Sequence, residues 1–212
     1  MGIKNKKILI TCGPTWVPID DTRVISNKST GELGQRIALQ LKKAGSRVTL
    51  LEGPVQQPLK DKKIKIRKFC YYKELLTLIQ SELKKNYYAV IHAAAVSDYQ
   101  LKKIFSGKLN SNRKQLQLKL VPTQKIITKI KEINPKIFLV GFKLESRVSE
   151  MLAKRFAHDL FKKSKSDLVV VNNLSKTKYS GYIVNKSMEI VRHRTTREGL
   201  SKALTQILKD VQ

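Results

Sequence analysis

The stretch Lys7–Leu51, which begins KILITCGPT and ends SRVTLL, decides the fold. Lys7–Thr11 is a short apolar run bounded by a Gly-Pro pair, as is typical of a buried strand that ends in a turn. Arg47–Leu51 has the same character. The segment between them shows helical periodicity, with Ser29–Glu32 at capping-box spacing and Gly45 at the position of a C-terminal glycine. The stretch therefore predicts a strand, a helix and a second strand.

The same alternation continues along the rest of the chain. Further strands are predicted at Lys63–Phe69, Tyr88–Ala93, Leu116–Leu120, Ile137–Phe142 and Asp167–Val171. Helices are predicted at Lys73–Lys85, Thr123–Ile133 and Ser149–Lys163. A hairpin over Tyr182–Val184 and Met188–Val191 precedes a last helix, which has a second capping-box spacing at Thr195–Glu198. Such alternation predicts a parallel sheet covered on both faces.

The predicted fold class is α/β. We expect a Rossmann-like three-layer sandwich with a mostly parallel central sheet and a C-terminal hairpin plus helix. The length of 212 residues suits one domain at about 150 residues per domain. No repeat or low-complexity linker divides the sequence, so we expect residues 1–212 to form a single domain.

The strong positive charge permits two interpretations. Lys and Arg number 43 against 16 Asp and Glu, which gives a net charge of +27. Such a charge favours nucleic-acid binding, because basic residues release counterions from phosphate backbones. However, the basic residues are spread along the whole chain, and aromatic residues make up only 7% of it. A lysine-rich solvated surface with incidental, non-specific binding of polyanions explains the charge equally well.

Composition excludes several other classes. Two cysteines and three histidines are too few for a disulfide framework or a histidine-cysteine metal cluster. We expect Cys12 to be a small buried thiol rather than a nucleophile. No stretch approaches the ~18 apolar residues of a membrane span, and the N-terminus lacks the features of a signal peptide. A cytoplasmic protein with no membrane partner is therefore expected.

Ligands of a parallel sheet bind beyond the carboxyl ends of its strands. The segments that fall there are Thr11–Thr30, Ala93–Ser106, Phe142–Ser146 and Asn172–Ser175. The first combines a Gly13 turn with a helix start at Ser29–Gly31, where backbone N–H groups can hold a phosphate. Thr15 stands where a dinucleotide fingerprint needs its second glycine, and the Gly-Lys-Ser/Thr of a Walker A loop is absent.

Two polar side chains inside this first segment suit an anionic ligand. Arg23 offers a planar fork for a phosphate or carboxylate, and Asn27 can both donate and accept. Alternatively, Arg23 pairs with Asp20 or Asp21 and only holds the loop. The residues by themselves leave both interpretations open.

Several motifs, in order along the chain, resemble those of the phosphopantothenate–cysteine ligase family. The opening Ile8–Thr15 (ILITCGPT), Ile19-Asp20, Thr22–Gly31 (TRVISNKSTG) and Leu33-Gly34 resembles the start of that domain. The later matching segments are Ala93–Tyr99, Lys108-Leu109, Val121–Ile127, Gly141–Glu145 and Asp167–Ser175. Because the flavin-dependent decarboxylase domain of many relatives is not in this sequence, it resembles the stand-alone form, and no flavin is expected.

The resemblance implies a two-step reaction in coenzyme A biosynthesis. A nucleoside triphosphate activates the carboxylate of 4′-phosphopantothenate, giving an acyl-nucleotide and pyrophosphate. The amine of L-cysteine then displaces the nucleotide to leave 4′-phosphopantothenoylcysteine. The motif style favours CTP over ATP. The resemblance also implies Mg²⁺ with the nucleotide, and a homodimer in which the partner subunit helps to complete the site.

The resemblance assigns site residues by their position in the motifs. The phosphopantothenate site would comprise Gly13, Arg23, Asn27, Ser29, Thr30 and Gly31. The nucleotide site would comprise Ala93, Ala94, Ala95, Asp98, Lys108, Gln124, Lys125, Ile126, Ile127, Phe142 and Lys163. Catalysis is assigned to Lys108, Asn27 and Arg23. Lys102 and Lys103 compete with Lys108 for the role of the lysine on the mobile flap.

One further enzyme class has a partial signature. Tyr99 and Lys103 have the Tyr-x-x-x-Lys spacing of some nicotinamide-dependent reductases. In those enzymes the pair lies on a helix and a glycine-rich turn follows the first strand, whereas here the pair lies in a polar stretch after a strand. The reductase interpretation is therefore weaker than the ligase one.

Overall fold

The computed structural model describes residues 2–110, 112, 114–173 and 178–211. The strands are β1 (Lys7–Cys12), β2 (Trp16–Pro18), β3 (Val24–Ser26), β4 (Arg47–Glu52), β5 (Lys65–Lys68), β6 (Ala89–His92), β7 (Tyr99–Leu101), β8 (Leu120–Pro122), β9 (Phe138–Glu145), β10 (Leu168–Asn173), β11 (Gly181–Asn185) and β12 (Ile190–Arg194). The helices are α1 (Glu32–Lys43), α2 (Tyr72–Leu83), α3 (Ile126–Ile133), α4 (Glu150–Ser164) and α5 (Arg197–Asp210).

Within these ranges, one large sheet has the strand order β12-β11-β10-β9-β6-β1-β4-β5. Its strands from β10 to β5 run parallel, and β11 and β12 add an antiparallel hairpin. The hydrogen-bonded pairs β2–β3 and β7–β8 form two small separate sheets. The predicted α/β class, parallel sheet and late hairpin are confirmed.

Alternating side chains of the buried strands divide the core into layers. Ile8 and Ile10 of β1 face the side that α1 and α5 cover. Leu9, between them, belongs to the cluster under α2 and α3. Because successive strand residues point to opposite faces, apolar runs such as KILIT are needed where helices cover both faces. The three-layer arrangement follows from this pattern.

The strand predicted at Leu116–Leu120 is wrong. No strand is assigned to residues 116–119, and only Leu120–Pro122 pairs, with β7. The alternating leucines of this run are partly exposed, Leu116 by 40% and Leu120 by 44%. Alternation alone does not make a strand where neither a neighbouring strand nor a covering layer is present.

Both predicted capping boxes are also wrong. The N-cap of α1 is Gly31, in the left-handed region, and no side chain caps it. In α5 the cap lies one residue later than predicted, because the Thr196 hydroxyl accepts from the Gly199 N–H at 3.0 Å. Glu32 and Glu198, the acidic members of the two boxes, instead pair with Arg36 and Lys202 respectively.

Candidate functional site

The site is centred where β1 and β6, adjacent in the sheet, end side by side. Their ladder continues beyond the strands: the Ala93 N–H donates to Thr11 O at 3.1 Å, and the Ala95 N–H donates to Gly13 O at 2.9 Å. The Thr15 N–H in turn donates to Ala95 O at 3.3 Å. Because the chain leaves β1 and β6 toward opposite sides of the sheet, a crevice opens at this point. Two segments predicted to bind different substrates therefore lie next to each other.

Two glycines let the first loop pack against the start of α1. Gly13 and Gly31 have φ values of 79° and 73°, which other residues rarely adopt. A Cβ on Gly31 would lie 2.8 Å from Val55 Cγ1 and 3.4 Å from Gly13 N. The close approach brings the backbone of the turn to the N-terminus of α1, flanked by Ser29 and Thr30. This is the geometry predicted for a phosphate site.

Arg23 pairs with Asp20, as the alternative interpretation of its role predicted. Its Nε and Nη2 donate to Asp20 Oδ2 at 2.9 and 2.7 Å, and Nη2 also donates to Leu109 O at 2.6 Å. The Leu109 N–H, which donates to Asp20 Oδ2 at 3.0 Å, and the Arg23 guanidinium hold the pKa of Asp20 well below its usual range. The Arg23 side chain nevertheless remains 38% exposed. The guanidinium is thus held by the loop and still presents a surface to a ligand.

Asn27 and Asp98 line one groove. The Asn27 amide Nδ2 donates to Ala95 O at 3.2 Å, which ties the first loop to the segment after β6. The two side chains share the groove with Ser97, and apolar residues complete its lining, namely Val17, Ile25, Tyr99 and Leu120. The structure therefore brings a predicted phosphopantothenate residue and a predicted nucleotide residue together.

The segment before α3 lies against the same region. Thr123 donates through its N–H to Asp98 O at 2.9 Å and through its hydroxyl to Ser97 O at 2.7 Å. Lys125 Nζ donates to Asp98 Oδ1 at 2.5 Å, and Gln124 is exposed beside it. Asp98 and Lys125 are thus neighbours, as expected of two residues that contact one ligand.

The side chains of three predicted nucleotide residues face the core. Ile126 and Ile127 are 1% and 9% exposed and pack in the cluster under α2 and α3. Phe142 is half-buried against the cluster on the other side of the sheet. Because helical packing takes the side chains of Ile126 and Ile127 inward, their assignment to the nucleotide site stays a prediction that rests on their backbone. Only the backbone N–H groups at the start of α3 are left to face a ligand.

Lys163 does not join the other predicted residues. It lies in the last turn of α4, an exposed position. Since α4 connects the parallel strands β9 and β10, it runs from their carboxyl ends to their amino ends. At about 1.5 Å per residue, its 15 residues place Lys163 roughly 20 Å from the site end of the sheet. The expected segment after β10 reaches positions 174 and 175, which lie outside the described residues.

Lys108 lies on a segment that is fastened to the β2–β3 loop. The Phe105 N–H donates to Ile19 O at 3.0 Å, and the Gly107 N–H donates to Asp21 Oδ2 at 3.1 Å. Leu109 is buried, whereas Lys108 is exposed next to it. Lys108 is therefore an exposed residue on an anchored segment, next to the Leu109 backbone that Arg23 contacts.

The reductase geometry is absent from this region. Tyr99 lies on the short strand β7 and is 53% exposed, and Lys103 follows the strand in an irregular segment. The two residues do not share a helix, which the reductase arrangement needs.

Sequence reasoning missed a buried polar pair beneath the crevice. The Thr11 hydroxyl lies 2.9 Å from His92 Nδ1, and it also accepts from the Ala94 N–H at 3.2 Å.

Glu52, at the end of β4, was missed too. It is fully buried, it pairs with Lys68, and it accepts from Gln35 Nε2 at 2.7 Å. Their signal was weak, because each stands as a single polar residue at the end of an apolar strand.

The family model for the DNA/pantothenate metabolism flavoprotein C-terminal domain matches residues 3–208 of this chain. The chain belongs to that family. The DNA/pantothenate metabolism flavoprotein from Streptococcus pneumoniae has a similar crystal structure, with a TM-score of 0.86 and 30% sequence identity. The similarity covers 97% of this chain and 99% of the Streptococcus chain.

Two curated relatives are longer than this chain. The coenzyme A biosynthesis bifunctional protein CoaBC of Thermococcus kodakarensis is 39% identical over 175 residues, 82% of this chain and 42% of the relative. CoaBC of Borreliella burgdorferi is 33% identical over 214 residues, 99% of this chain and 52% of the relative. The chain thus spans about half the length of these curated relatives.

The described parts of this flavoprotein-family domain offer neither a membrane helix nor a preformed metal cluster. No helix within them is long and apolar enough to cross a bilayer. No three side chains of His, Cys, Asp or Glu among them converge as metal ligands do.

Lowering the pH should destabilise this flavoprotein-family domain through His92. Burial lowers the pKa of His92 to about 4, whereas the unfolded chain takes up the proton near 6.5. His92 therefore contributes its full stability above pH 6.5 and loses it as the pH falls toward 4. Between pH 7 and pH 5, urea unfolding should show a loss of about 2 kcal/mol from this group. His92→Gln, which cannot titrate, should flatten this part of the profile; an unchanged slope would contradict the assignment.

Proposed function

We propose that this chain is a phosphopantothenate–cysteine ligase, which uses a nucleoside triphosphate, CTP in preference to ATP, to join 4′-phosphopantothenate to L-cysteine. The observation that carries the proposal is the groove that Asn27 and Asp98 line together, with Asn27 tied to the segment after β6. The hydrogen bond from Arg23 Nη2 to Leu109 O, next to Lys108, supports it. The names of the curated relatives, which refer to coenzyme A biosynthesis, support it.

The phosphopantothenate half of the site would be built from backbone as well as side chains. The N-terminus of α1, packed on Gly13, would present backbone N–H groups and the positive end of the helix dipole to a phosphate, which would compete with Thr30 Oγ1 for the Glu32 N–H. Ser29 and Thr30 flank that end. The exposed part of Arg23 and the Asn27 amide would orient the substrate toward the nucleotide, with Arg23 supplying charge and Asn27 a neutral hydrogen bond.

The nucleotide half would occupy the segments after β6 and before α3. The small side chains of Ala93–Ala95 would let a nucleotide lie close to this segment, whose N–H groups are bonded to Thr11 and Gly13. Asp98 with Lys125 provides one acceptor and one cation. Lys108 would stabilise the negative charge that develops when a carboxylate oxygen of the substrate attacks the α-phosphorus and pyrophosphate leaves. Mg²⁺ would enter as part of the nucleotide substrate, since phosphate oxygens and water supply most of its ligands.

Amide formation then needs no protein nucleophile. The amine of L-cysteine attacks the acyl carbon, the nucleoside monophosphate leaves, and the amine gives up a proton. Positioning and exclusion of water suffice for such a step. Cys12 suits no covalent role, because it is fully buried, and burial together with the nearby Glu52 carboxylate raises its pKa far above the usual range. The expectation of a buried thiol is confirmed.

The deciding experiment follows cysteine-dependent product formation. The purified chain is incubated with 4′-phosphopantothenate, Mg²⁺ and either CTP or ATP, with and without L-cysteine, and pyrophosphate and the cysteine adduct are measured. We expect pyrophosphate and an acyl-nucleotide without cysteine, the adduct with it, and faster turnover with CTP. No pyrophosphate and no adduct with either nucleotide would contradict the proposal, and salt-sensitive binding of DNA or RNA by such an inactive chain would favour the nucleic-acid alternative.

Replacing Arg23 with alanine should mainly weaken the binding of phosphopantothenate. Loss of a charged, forked donor should raise the apparent KM for that substrate by about 10- to 100-fold, with a smaller effect on the KM for the nucleotide. Steady-state kinetics measures both values. Arg192→Ala, on the exposed strand β12, is the matched control and should leave both unchanged. An unaltered KM for phosphopantothenate in Arg23→Ala would count against the assignment.

A homodimer would complete the site. Val24, Ile25, Tyr99 and Leu120 are apolar or aromatic and are 37–53% exposed on the two small sheets β2–β3 and β7–β8. Contiguous exposed apolar residues typically mark an interface. Ile25, Tyr99 and Leu120 of this set also line the groove of Asn27 and Asp98. A partner subunit seated there would therefore reach the substrates.

Ile25→Asp should convert such a dimer to a monomer and lower turnover. A buried charge without a partner is costly, so the dimer should dissociate at micromolar concentration. Analytical ultracentrifugation measures the mass. Met151→Asp, at an apolar residue that is 77% exposed on α4, is the control and should stay dimeric. A wild-type chain that sediments as a monomer would exclude the interface.

A further inference from the structure

Asp20 joins two parts of the site that are far apart in the chain. Its Oδ1 accepts from the Thr22 N–H and hydroxyl at 2.9 and 3.1 Å and from the Arg23 N–H at 2.8 Å. Its Oδ2 accepts from Arg23 Nε and Nη2 and, at 3.0 Å, from the N–H of Leu109, 89 residues later. The carboxylate side chain is fully buried. Both oxygens are therefore committed, one to its own turn and one to the distant segment.

The bonds to Oδ2 form a closed group of three residues. Arg23 Nη2 donates both to Asp20 Oδ2 and to Leu109 O at 2.6 Å, while the Leu109 N–H donates back to Asp20. Leu109 is only 7% exposed, so its backbone is fixed on both its N–H and its C=O side. Lys108, the adjacent residue, is exposed. These bonds therefore hold the backbone next to Lys108 at a fixed position relative to the Arg23 guanidinium.

An aspartate that only held a turn would need no such partner. The contacts of Oδ1 with Thr22 and with the Arg23 N–H are those of an ordinary Asx turn. The contacts of Oδ2 go beyond that role, because hydrogen bonds to a buried charged acceptor are strong and directional. A displacement of about 1 Å in a catalytic group can cost roughly 100-fold in rate, so a fixed anchor next to the flap lysine has a functional consequence.

We infer that Asp20 is a positioning residue, which sets Lys108 at a fixed place relative to Arg23 and so aligns the nucleotide with the bound phosphopantothenate. This inference rests on the proposed function of the same site. Asp20 acts through Arg23 and Leu109 and contacts no substrate. Its neighbour Asp21, an exposed carboxylate that accepts from the Gly107 N–H at 3.1 Å, offers a matched comparison on the same segment.

The first test follows amide hydrogen exchange and needs no enzymatic activity. In the wild-type chain the Leu109 amide should exchange slowly, because its donor is bonded to a buried carboxylate. In Asp20→Asn its exchange should be at least about 10-fold faster, whereas Asp21→Asn should change it much less. Exchange of the wild-type Leu109 amide at the rate of an unstructured peptide would overturn the inference without any variant. An equal effect of Asp21→Asn would overturn it as well.

The second test is a double-mutant cycle in single-turnover formation of the acyl-nucleotide. If Asp20 acts through the flap lysine, Asp20→Asn should lower the rate about as much as Lys108→Gln, and the double variant should be no slower than Lys108→Gln alone. Multiplicative losses would show that the two residues act independently and would overturn the inference. A wild-type chain without any turnover would contradict the proposed function, while the exchange experiment would still decide whether Asp20 holds the segment.

Discussion

Replacing Lys108 with glutamine should slow acyl-nucleotide formation by about 10²- to 10³-fold, the loss typical when one stabiliser of transition-state charge is removed. Glutamine keeps much of the length of the side chain but removes its charge. Because Lys108 is exposed, the free energy of unfolding should stay within about 0.5 kcal/mol of the wild type. Rapid-quench measurement of pyrophosphate release gives the first quantity, and urea unfolding gives the second.

The neighbouring lysines provide the controls for this experiment. Lys102 and Lys103 are exposed on the same segment and carry the same charge. Lys102→Gln and Lys103→Gln should each lower the rate by less than about 3-fold, because neither is adjacent to the anchored Leu109. A larger loss in Lys103→Gln than in Lys108→Gln would reassign the role of the flap lysine. Unchanged turnover in all three would remove the flap from the mechanism.

Gly34→Ala should destabilise the fold by about 1–3 kcal/mol, even though alanine favours a helix over glycine by about 1 kcal/mol. A Cβ on Gly34 would lie 2.4 Å from the Cβ of Cys12, so α1 would have to move away from β1. That movement would also shift the Gly31 end of α1 relative to Gly13. We therefore expect weaker phosphopantothenate binding in addition to a lower midpoint of urea unfolding.

A glycine at position 12 tests whether the contact with the Cys12 Cβ causes the expected loss of stability in Gly34→Ala. In a Cys12→Gly background the clashing Cβ is absent, so Gly34→Ala should cost at least about 1 kcal/mol less than it does in the wild type. The comparison cancels the separate cost of Cys12→Gly. The same cost in both backgrounds would mean that the contact between α1 and β1 does not limit the packing.

The large sheet could be predicted from the sequence because its signals are local. Apolar runs such as Lys7–Thr11 and Arg47–Leu51, each closed by Gly-Pro punctuation, identify strands without knowledge of their neighbours. The failures have a different origin. Leu116–Leu120 alternates correctly but finds a partner only from Leu120 onward, and the cap of α1 is set by the contact of Gly31 with Gly13 and Val55. Both depend on residues far away in the chain.

The predictions for the site also separate into those with a local signal in the sequence and those that depend on the fold. That Asn27 and Asp98 lie near each other could be predicted because motif and position at a strand end agree, and the structure brings the two to one groove; their roles stay predictions. Lys163 was assigned from its motif alone, although a helix between two parallel strands runs away from their carboxyl ends and takes its last turn away from the site. The alternatives for Arg23 were not exclusive, since the guanidinium pairs with Asp20 and stays partly exposed. Only the fold shows that this pair also holds Leu109.

The basic side chains of the edge strand β12 bear on whether two copies of the chain can associate through that edge. An open sheet ends in unpaired N–H and C=O groups, which can recruit a strand from another copy. The exposed side chains at the end of β12 are Arg192, His193 and Arg194, and both arginines donate to the backbone of a preceding residue rather than to an acid. Two such strands repel each other over about one Debye length, roughly 8 Å at physiological ionic strength. We therefore expect the basic edge to oppose edge-to-edge pairing of two copies, and concentrated salt to weaken that repulsion.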